Sequence, residues 1–163
     1  MQQIFFEWLQ NTPLAVMVGE DWFPWVESTH VLFTSVVIGT ILTVDARLLG
    51  MGLQQLRLTY VTQRLLPLTW GAFAGAAITG GMLFMANATS YIHNTPFLAK
   101  MCLLVALGLN MLYFHVVTYR NVAEWDTGKT VPAARMAGLI STFLWLAVIA
   151  CGRWIGFVLS LSA

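Results

Sequence analysis

Long apolar stretches separated by short polar ones dominate the pattern of this chain. Four of the stretches reach the roughly 20 residues that an α-helix needs to cross a membrane. They cover about residues 25–49, 65–86, 97–119 and 134–161. Pro24 and Pro132 precede the first and the last stretch, where proline suits the first turn of a helix. The pattern predicts an all-α integral membrane protein, a bundle of four transmembrane helices.

The segment that precedes the first span is amphipathic. Its apolar residues fall on one helical face, and these are Ile4, Phe5, Trp8 and Leu9. Asn11-Thr12-Pro13 interrupts this face and starts another turn. The segment lacks lysine and arginine, so it does not look like a secretory signal. We predict one membrane domain over residues 1–163, with interfacial helices in residues 1–23 and four spans in residues 24–161.

Composition supports the membrane class and narrows the function. The chain is 58% hydrophobic and 9% charged, and its mean hydropathy is +0.75. A net charge of +1 gives no reason to propose a nucleic-acid partner. The spans contain no nucleophile–base pair, phosphate loop or paired carboxylates. Electron transfer is therefore favoured over independent catalysis, and no enzymatic reaction is assigned.

Basic residues predict the orientation of the bundle. They flank the first and third connections, and they are Arg47, Arg57, Arg64, Arg120, Lys129 and Arg135. The N-terminal segment and the second connection, residues 87–96, carry no lysine or arginine. Because cytoplasmic loops of membrane proteins are enriched in lysine and arginine, we expect both termini outside.

Ionisable side chains near the outer ends of the spans are the main functional clue. Such residues are costly in a bilayer and persist where they meet a cavity, a partner or a cofactor. At about 1.5 Å of rise per residue, His30, Lys100 and Arg153 lie within about two turns of the outer ends. His93 lies in the outer loop before the third span. These four residues share one layer of the membrane, and Glu27 approaches it.

The chemistry of this layer suits haem b. Neutral imidazole is a common axial ligand of haem iron, and the haem propionates need cationic partners. We predict that His30 binds the iron and infer, from depth alone, that His93 is a second ligand. Lys100 and Arg153 are expected to bind the propionates. Simpler readings stay open: His30 bonded to a helix carbonyl, a solvated His93, or a Lys100 that snorkels to the surface.

His115 lies near the inner end of the third span, about 22 Å along the helix from Lys100. It cannot share an iron with His30 in an unbroken bundle. A second haem there would take its other ligand from Met111 or Met136, from an open position, or from another chain. The alternative is a histidine that snorkels at the interface.

Three other features predict packing. Gly71 with Gly75, and Ala72 with Ala76 and Gly80, form stripes of small residues that let helices approach closely in lipid. Asn110 predicts a hydrogen bond between helices. Asp45 and Arg47 are expected to pair at the inner interface.

Several of these elements together resemble a known family. They are Glu27-Ser-Thr-His30, Asp45-Ala-Arg-Leu-Leu-Gly50, Asn94-Thr-Pro-Phe97-Leu-Ala-Lys100, Phe114-His115 and Gly152-Arg153-Trp154-Ile155-Gly156. The chain resembles a group of small, largely uncharacterised bacterial four-helix inner-membrane proteins over about residues 24–158. That group is loosely similar to b-type cytochromes and to the copper-resistance membrane protein CopD. The resemblance implies a multi-pass protein of the bacterial inner membrane, and His93 is not part of its pattern.

Three functions remain in view. The favoured one is a protein with one or two haem b groups that carries electrons between the quinone pool and an outer-face partner. The second is copper binding or import, because Met82, Met85 and Met101 gather near His93 and thioethers suit Cu(I). The third is a cofactor-free subunit of a larger membrane complex. In each case we expect a lipid-embedded chain that forms a homo-oligomer or joins a complex.

Overall fold

The computed structural model describes residues 2–162, with the side chains of residues 3–158. No β-strand occurs in this range, so the all-α class is confirmed. The α-helices are α1 (Gln2–Gln10), α2 (Pro13–Met17), α3 (Phe23–Leu49), α4 (Leu58–Ala86), α5 (Ala88–Tyr91), α6 (Thr95–Tyr113) and α7 (Pro132–Ser162). A π-helical turn over Val18–Trp22 joins α2 to α3. Another over Phe114–Thr118 and a 3-10 helix over Tyr119–Glu124 continue α6.

Four helical stretches are long and apolar enough to cross a membrane: Pro13–Leu49, Leu58–Ala86, Thr95–Glu124 and Pro132–Val158. Large apolar side chains cover their outward faces; Trp25, Leu32 and Phe143 are each about 70% exposed. Soluble proteins rarely expose apolar surface on this scale. The chain is therefore a multi-pass membrane protein built as a four-helix bundle.

The helix boundaries refine the predicted spans. The second long helix begins at Leu58 rather than near residue 65. Its first two turns carry polar residues, so they were not part of the apolar stretch in the sequence. At the N-terminus the predicted break is confirmed: the Thr12 hydroxyl accepts a hydrogen bond from the Ala15 N–H and caps α2. That α1 and α2 lie at the membrane interface stays a prediction. Just after α2, buried Val18 belongs to an apolar cluster that includes residues of α3 and α4, so the π-helical turn packs on the bundle.

The order of helices around the bundle leaves one side open. Helix α3 packs on both α4 and α7, and α6 packs on α7. The backbones of α4 and α6 lie farther apart, and these two helices meet through side chains such as Phe84 and Phe97, which stack at the outer end. We call the end that carries α1 and α5 the outer end. The opposite end, which carries the connections 50–57 and 125–131, is the inner end.

Arg47 ties the two inner connections together. Its guanidinium is fully buried and donates hydrogen bonds to the Leu56 carbonyl at 3.0 Å and to the Asp126 carbonyl at 3.3 Å. The expected pair with Asp45 is wrong, because residues two apart on a helix point to opposite sides. Asp45 instead faces α7, where the Thr142 hydroxyl donates to its Oδ2 at 3.3 Å.

The inner connection also caps α4. The Asp126 carboxylate accepts hydrogen bonds from the Thr59 N–H at 2.8 Å and from the Thr59 hydroxyl at 2.7 Å. Burial alone would raise the pKa of Asp126, but these bonds and the charge of Arg57 hold that pKa below its ordinary value.

Candidate functional site

Close contact between α3 and α4 positions His30, and glycines make the contact possible. A Cβ at Gly75 would lie 2.7 Å from the ring of Phe33, and a Cβ at Gly80 would lie 3.0 Å from Cε1 of His30. The predicted packing role of the small residues is confirmed at these two positions. Gly71 differs, because a Cβ there would meet nothing within 4 Å.

The ring of His30 is held by two groups of α4, the Thr79 hydroxyl and the Ala76 backbone. Nδ1 of His30 lies 3.0 Å from Oγ1 of Thr79, which itself lies 2.8 Å from the Gly75 carbonyl oxygen. A hydroxyl has a single proton, and Thr79 donates it to the carbonyl. It therefore accepts from Nδ1–H of His30. The hydrogen-bond network thus assigns the tautomer of neutral His30: Nε2 carries a lone pair.

Lys100 reaches the same region from α6. Its charge lies close enough to His30 for the two side chains to interact electrostatically. On the α7 side, a Cβ at Gly152 would lie 4.0 Å from the Lys100 Nζ. The ammonium group is therefore directed into the bundle, between α3 and α7. Lys100 does not snorkel outward, and it joins His30 as the depth argument predicted.

The other two members of the predicted layer lie apart from this pair. Arg153 is exposed on α7, and within the described residues it has no hydrogen bond or ion pair. His93 is exposed in the turn after α5, because Asn94 caps α6 directly after it and directs the chain inward. Among the residues described, no three histidine, cysteine or carboxylate side chains gather as a metal group.

Glu27 interacts with the outer aromatic cluster. The Tyr91 ring packs against Phe97, with 5.1 Å between ring centroids, and Phe97 stacks on Phe84 at 5.5 Å. Burial and the negative charge of Glu27 raise the pKa of Tyr91. This cluster closes the outer end of the bundle above His30.

A second feature is a cavity of about 240 Å³ in the inner half of the bundle. All four long helices line it, with apolar and aromatic side chains forming most of the wall. Its polar side chains are Asp45, Thr62, Thr69, Asn110, His115 and Ser141. The interhelical bond predicted for Asn110 is confirmed, since its Nδ2 donates to the Ala137 carbonyl at 3.1 Å.

His115 lies at the edge of this cavity, in the π-helical turn that follows α6. Its Nδ1 lies 2.9 Å from the Met111 carbonyl oxygen, which can only accept, so Nδ1 carries the proton. Neutral His115 therefore presents a lone pair at Nε2. The side chain is exposed on the bundle surface, and its ring packs against Tyr119 with centroids 5.6 Å apart.

The residues around His30 fit the donor requirements of a haem. A histidine that binds a metal usually donates its other ring N–H to a fixed acceptor, and Thr79 is such an acceptor. Lys100 supplies a cation for a carboxylate. The described side chains supply one imidazole at this depth, because His93 is exposed outside the bundle and His115 lies in the inner half.

The methionines considered for copper have an ordinary packing role where the structure describes their contacts. Met82 packs against the buried cluster of Val18, Val26, Leu83 and Ala86. Met101 is 46% exposed on the surface of α6. No described contact favours a thioether site.

Sequence reasoning missed Thr79 and the cavity. The only available signal for Thr79 was its position one turn beyond Gly75 and Ala76, on the small-residue face of α4. No signal in the sequence predicted the cavity, because hydropathy does not show which helices are neighbours.

The fold and the site define a four-helix integral membrane protein with an imidazole and a lysine side chain in its outer half. Comparison with known sequences shows the family: the chain belongs to a family of unknown function, DUF6644, whose profile matches residues 5–158. No curated protein and no solved structure matches the chain significantly. The family description contains no activity, ligand or metal.

Proposed function

We propose that this protein binds haem b in the outer half of the bundle, with Nε2 of His30 as the protein ligand of the iron. The observation that carries the proposal is the hydrogen bond from Nδ1 of His30 to Thr79 at 3.0 Å. It fixes the ring and leaves Nε2 as the free donor atom, the state that haem iron requires. When bound, haem supplies a one-electron iron couple.

The neighbouring residues have supporting roles in this proposal. Thr79 holds the orientation and tautomer of the ring. Gly80 lets the ring lie close to α4, because any side chain would press on Cε1. Lys100 compensates a propionate, since an unpaired carboxylate inside the membrane is costly. Arg153 and His93, both exposed near the outer end, are available to a partner protein or a second chain.

The proposal extends to the role of the protein in its membrane. It carries electrons between the quinone pool and an outer-face partner in a bacterial inner membrane, with both termini outside. The basic residues beside the two inner connections support this orientation. Because His30 supplies one imidazole, a second protein ligand of the haem would have to come from another chain. The functional unit is then a homo-oligomer or a complex.

The proposal does not include a second haem at His115. The inner cavity, at about 240 Å³, is smaller than the roughly 300–1,000 Å³ of ordinary small-molecule pockets. A cavity of this volume suits a ligand smaller than haem.

Two alanine variants test the proposal. The protein is purified with haem supplied during expression, and the pyridine-haemochrome signal per chain is compared for wild type, His30→Ala and His93→Ala. We expect the signal to be lost in His30→Ala and kept in His93→Ala, the control in the exposed outer turn. Equal haem content in the His30→Ala variant and the wild type, with both eluting as folded protein, contradicts the proposal.

A further inference from the structure

The inner cavity is a separate site, and three observations indicate which kind of ligand it can bind. It has an apolar aromatic wall, a small set of polar side chains, and lining residues on α4 and α6 that are exposed at the bundle surface. None of its lining residues belongs to the His30 site. The cavity is therefore considered independently of haem.

The side of the cavity between α4 and α6 faces the lipid. The backbones of these two helices lie farther apart than those of the other neighbouring helices, although Phe84 and Phe97 stack between them at the outer end. Lining residues on their facing edges are exposed to the surroundings of the bundle: Trp70 is 50% exposed, Phe73 is 42% exposed and Met111 is 40% exposed. A molecule dissolved in the bilayer can thus enter sideways, without crossing a water-filled mouth.

The volume and the wall suit a substituted six-membered ring. An apolar cavity of about 150 Å³ inside a protein takes up benzene, and this one measures about 240 Å³. Trp70 and Phe73 of α4, Phe114 after α6 and Trp145 of α7 all contribute to the wall. Aromatic walls of this kind favour a flat ring with an offset or edge-to-face contact.

The polar atoms call for a ligand that donates hydrogen bonds. His115 has the lone pair of Nε2, since Nδ1–H is used on the Met111 carbonyl. Asn110 uses its Nδ2 on Ala137, which leaves its amide oxygen as an acceptor. Asp45 is buried and its Oδ2 accepts from the Thr142 hydroxyl, so its carboxyl group adds acceptor atoms.

We infer that the inner cavity binds the ring of a lipid-soluble quinol, whose isoprenoid tail leaves between α4 and α6. The hydroxyl donors of a quinol ring match the acceptor atoms of His115 and Asn110. A phospholipid tail also fits the apolar wall but carries no hydroxyl group for these acceptors. The inference gives the quinone pool of the proposed function a binding site, although binding itself does not depend on haem.

Glycine substitutions test the site, because the chain offers a matched pair. Gly108 lines the cavity and a Cβ there would meet nothing within 4 Å, so Gly108→Leu fills the opening without a clash at the backbone. Gly71 on α4 is equally open but does not line the cavity, so Gly71→Leu is the control. The ligand is decylubiquinol, kept reduced and added to the detergent-solubilised protein without oxygen, and the readout is quenching of tryptophan fluorescence.

The expected result is saturable quenching in the wild type and in Gly71→Leu, and binding weaker by about tenfold or more in Gly108→Leu. Decylbenzene, which has the ring and the chain without carbonyl groups, is expected to compete poorly. His115→Phe, which keeps a flat ring but loses Nε2, is expected to weaken binding as well. Every measurement is repeated in a His30→Ala background, so that a failure of haem binding does not obscure the outcome.

Two results overturn the inference. One is a wild type that shows no saturable quenching, or in which Gly108→Leu binds as tightly as Gly71→Leu. The other is decylbenzene binding as tightly as decylubiquinol, which identifies the cavity as a general apolar site. A wild type that binds decylubiquinol but takes up no haem refutes the haem proposal alone.

Discussion

His30 illustrates how one residue gains its chemistry from its neighbours. A lone histidine in an apolar helix is ambiguous, because a buried histidine bonded to a carbonyl fits the sequence equally well. The structure adds the Thr79 hydroxyl at 3.0 Å and the charge of Lys100, which together define the tautomer and the electrostatics of the ring. The sequence predicted His30 and Lys100 in one layer, but not the hydroxyl that holds the ring.

Thr79→Val tests this description at the level of a single atom group. Valine keeps the shape of threonine and removes the acceptor of the His30 Nδ1–H. Loss of the outer partner of a metal-binding histidine costs about 10–100-fold in affinity, so we expect haem affinity to fall by about that factor. Haem titration of the purified apoprotein measures it.

The control for that variant is Thr69→Val. The Thr69 hydroxyl is also bonded between α4 and α3, to Thr40 at 2.8 Å, but it lies in the inner half, away from His30. An equal loss of haem affinity in both variants would assign the effect to general packing and count against a specific role of Thr79.

At the scale of helices, the sequence predicts number and order well and predicts ends less well. Four apolar stretches gave four spans, because hydropathy over about 20 residues is a strong signal. The start of α4 was missed, since its first turns carry the polar residues Thr59, Gln63 and Arg64. The packing of Val18, just after α2, against α4 was not predicted, because hydropathy does not show which segment covers a helix.

Gly75→Ala tests the contact between α3 and α4. The added Cβ would lie 2.7 Å from the Phe33 ring, so the helices must separate or the ring must move. Overpacking of this kind costs about 1–3 kcal/mol. We expect a lower midpoint of thermal unfolding in detergent for Gly75→Ala and no change for Gly71→Ala. Adding Phe33→Leu to Gly75→Ala is expected to restore part of the loss, and an unchanged midpoint in Gly75→Ala refutes the contact.

Asp126→Asn tests the cap of α4. The folded-state pKa of Asp126 lies below its ordinary value, so its charge stabilises the fold above about pH 4 and this contribution is lost as pH falls through the folded pKa. Asparagine keeps one acceptor oxygen but loses the charge, and hydrogen bonds to charged groups contribute about 1 kcal/mol more than neutral ones. We expect the variant to unfold more easily than the wild type at pH 6–8, by about this amount.

The pH dependence separates this effect from others. The difference in unfolding free energy between wild type and Asp126→Asn should shrink as the pH is lowered below about 4, where the carboxylate gains its proton. Asp21→Asn, at an exposed position near the outer end, serves as the control and should show no such difference. If the difference in unfolding free energy between the wild type and Asp126→Asn stays constant down to pH 3, the charge of Asp126 is not its cause.

At the scale of the whole molecule, the helix neighbours determine both sites. Helix α3 is central because it contacts α4 and α7, and this brings His30 toward Lys100 and Asp45 toward α7. The opening between α4 and α6 follows from the same arrangement. Sequence periodicity reports which face of a helix is apolar but not which helix covers that face, so neither the opening nor the inner cavity was predictable.

The central claim, that His30 holds haem iron in the outer half of the bundle, is tested most directly by an optical spectrum. The measurement is the reduced-minus-oxidised spectrum of the purified protein, beside that of His30→Ala prepared identically. The account predicts a Soret band and the α band of a b-type haem at about one haem per chain, both absent from the variant. A wild-type protein without a Soret band, or identical spectra for the two proteins, would contradict it.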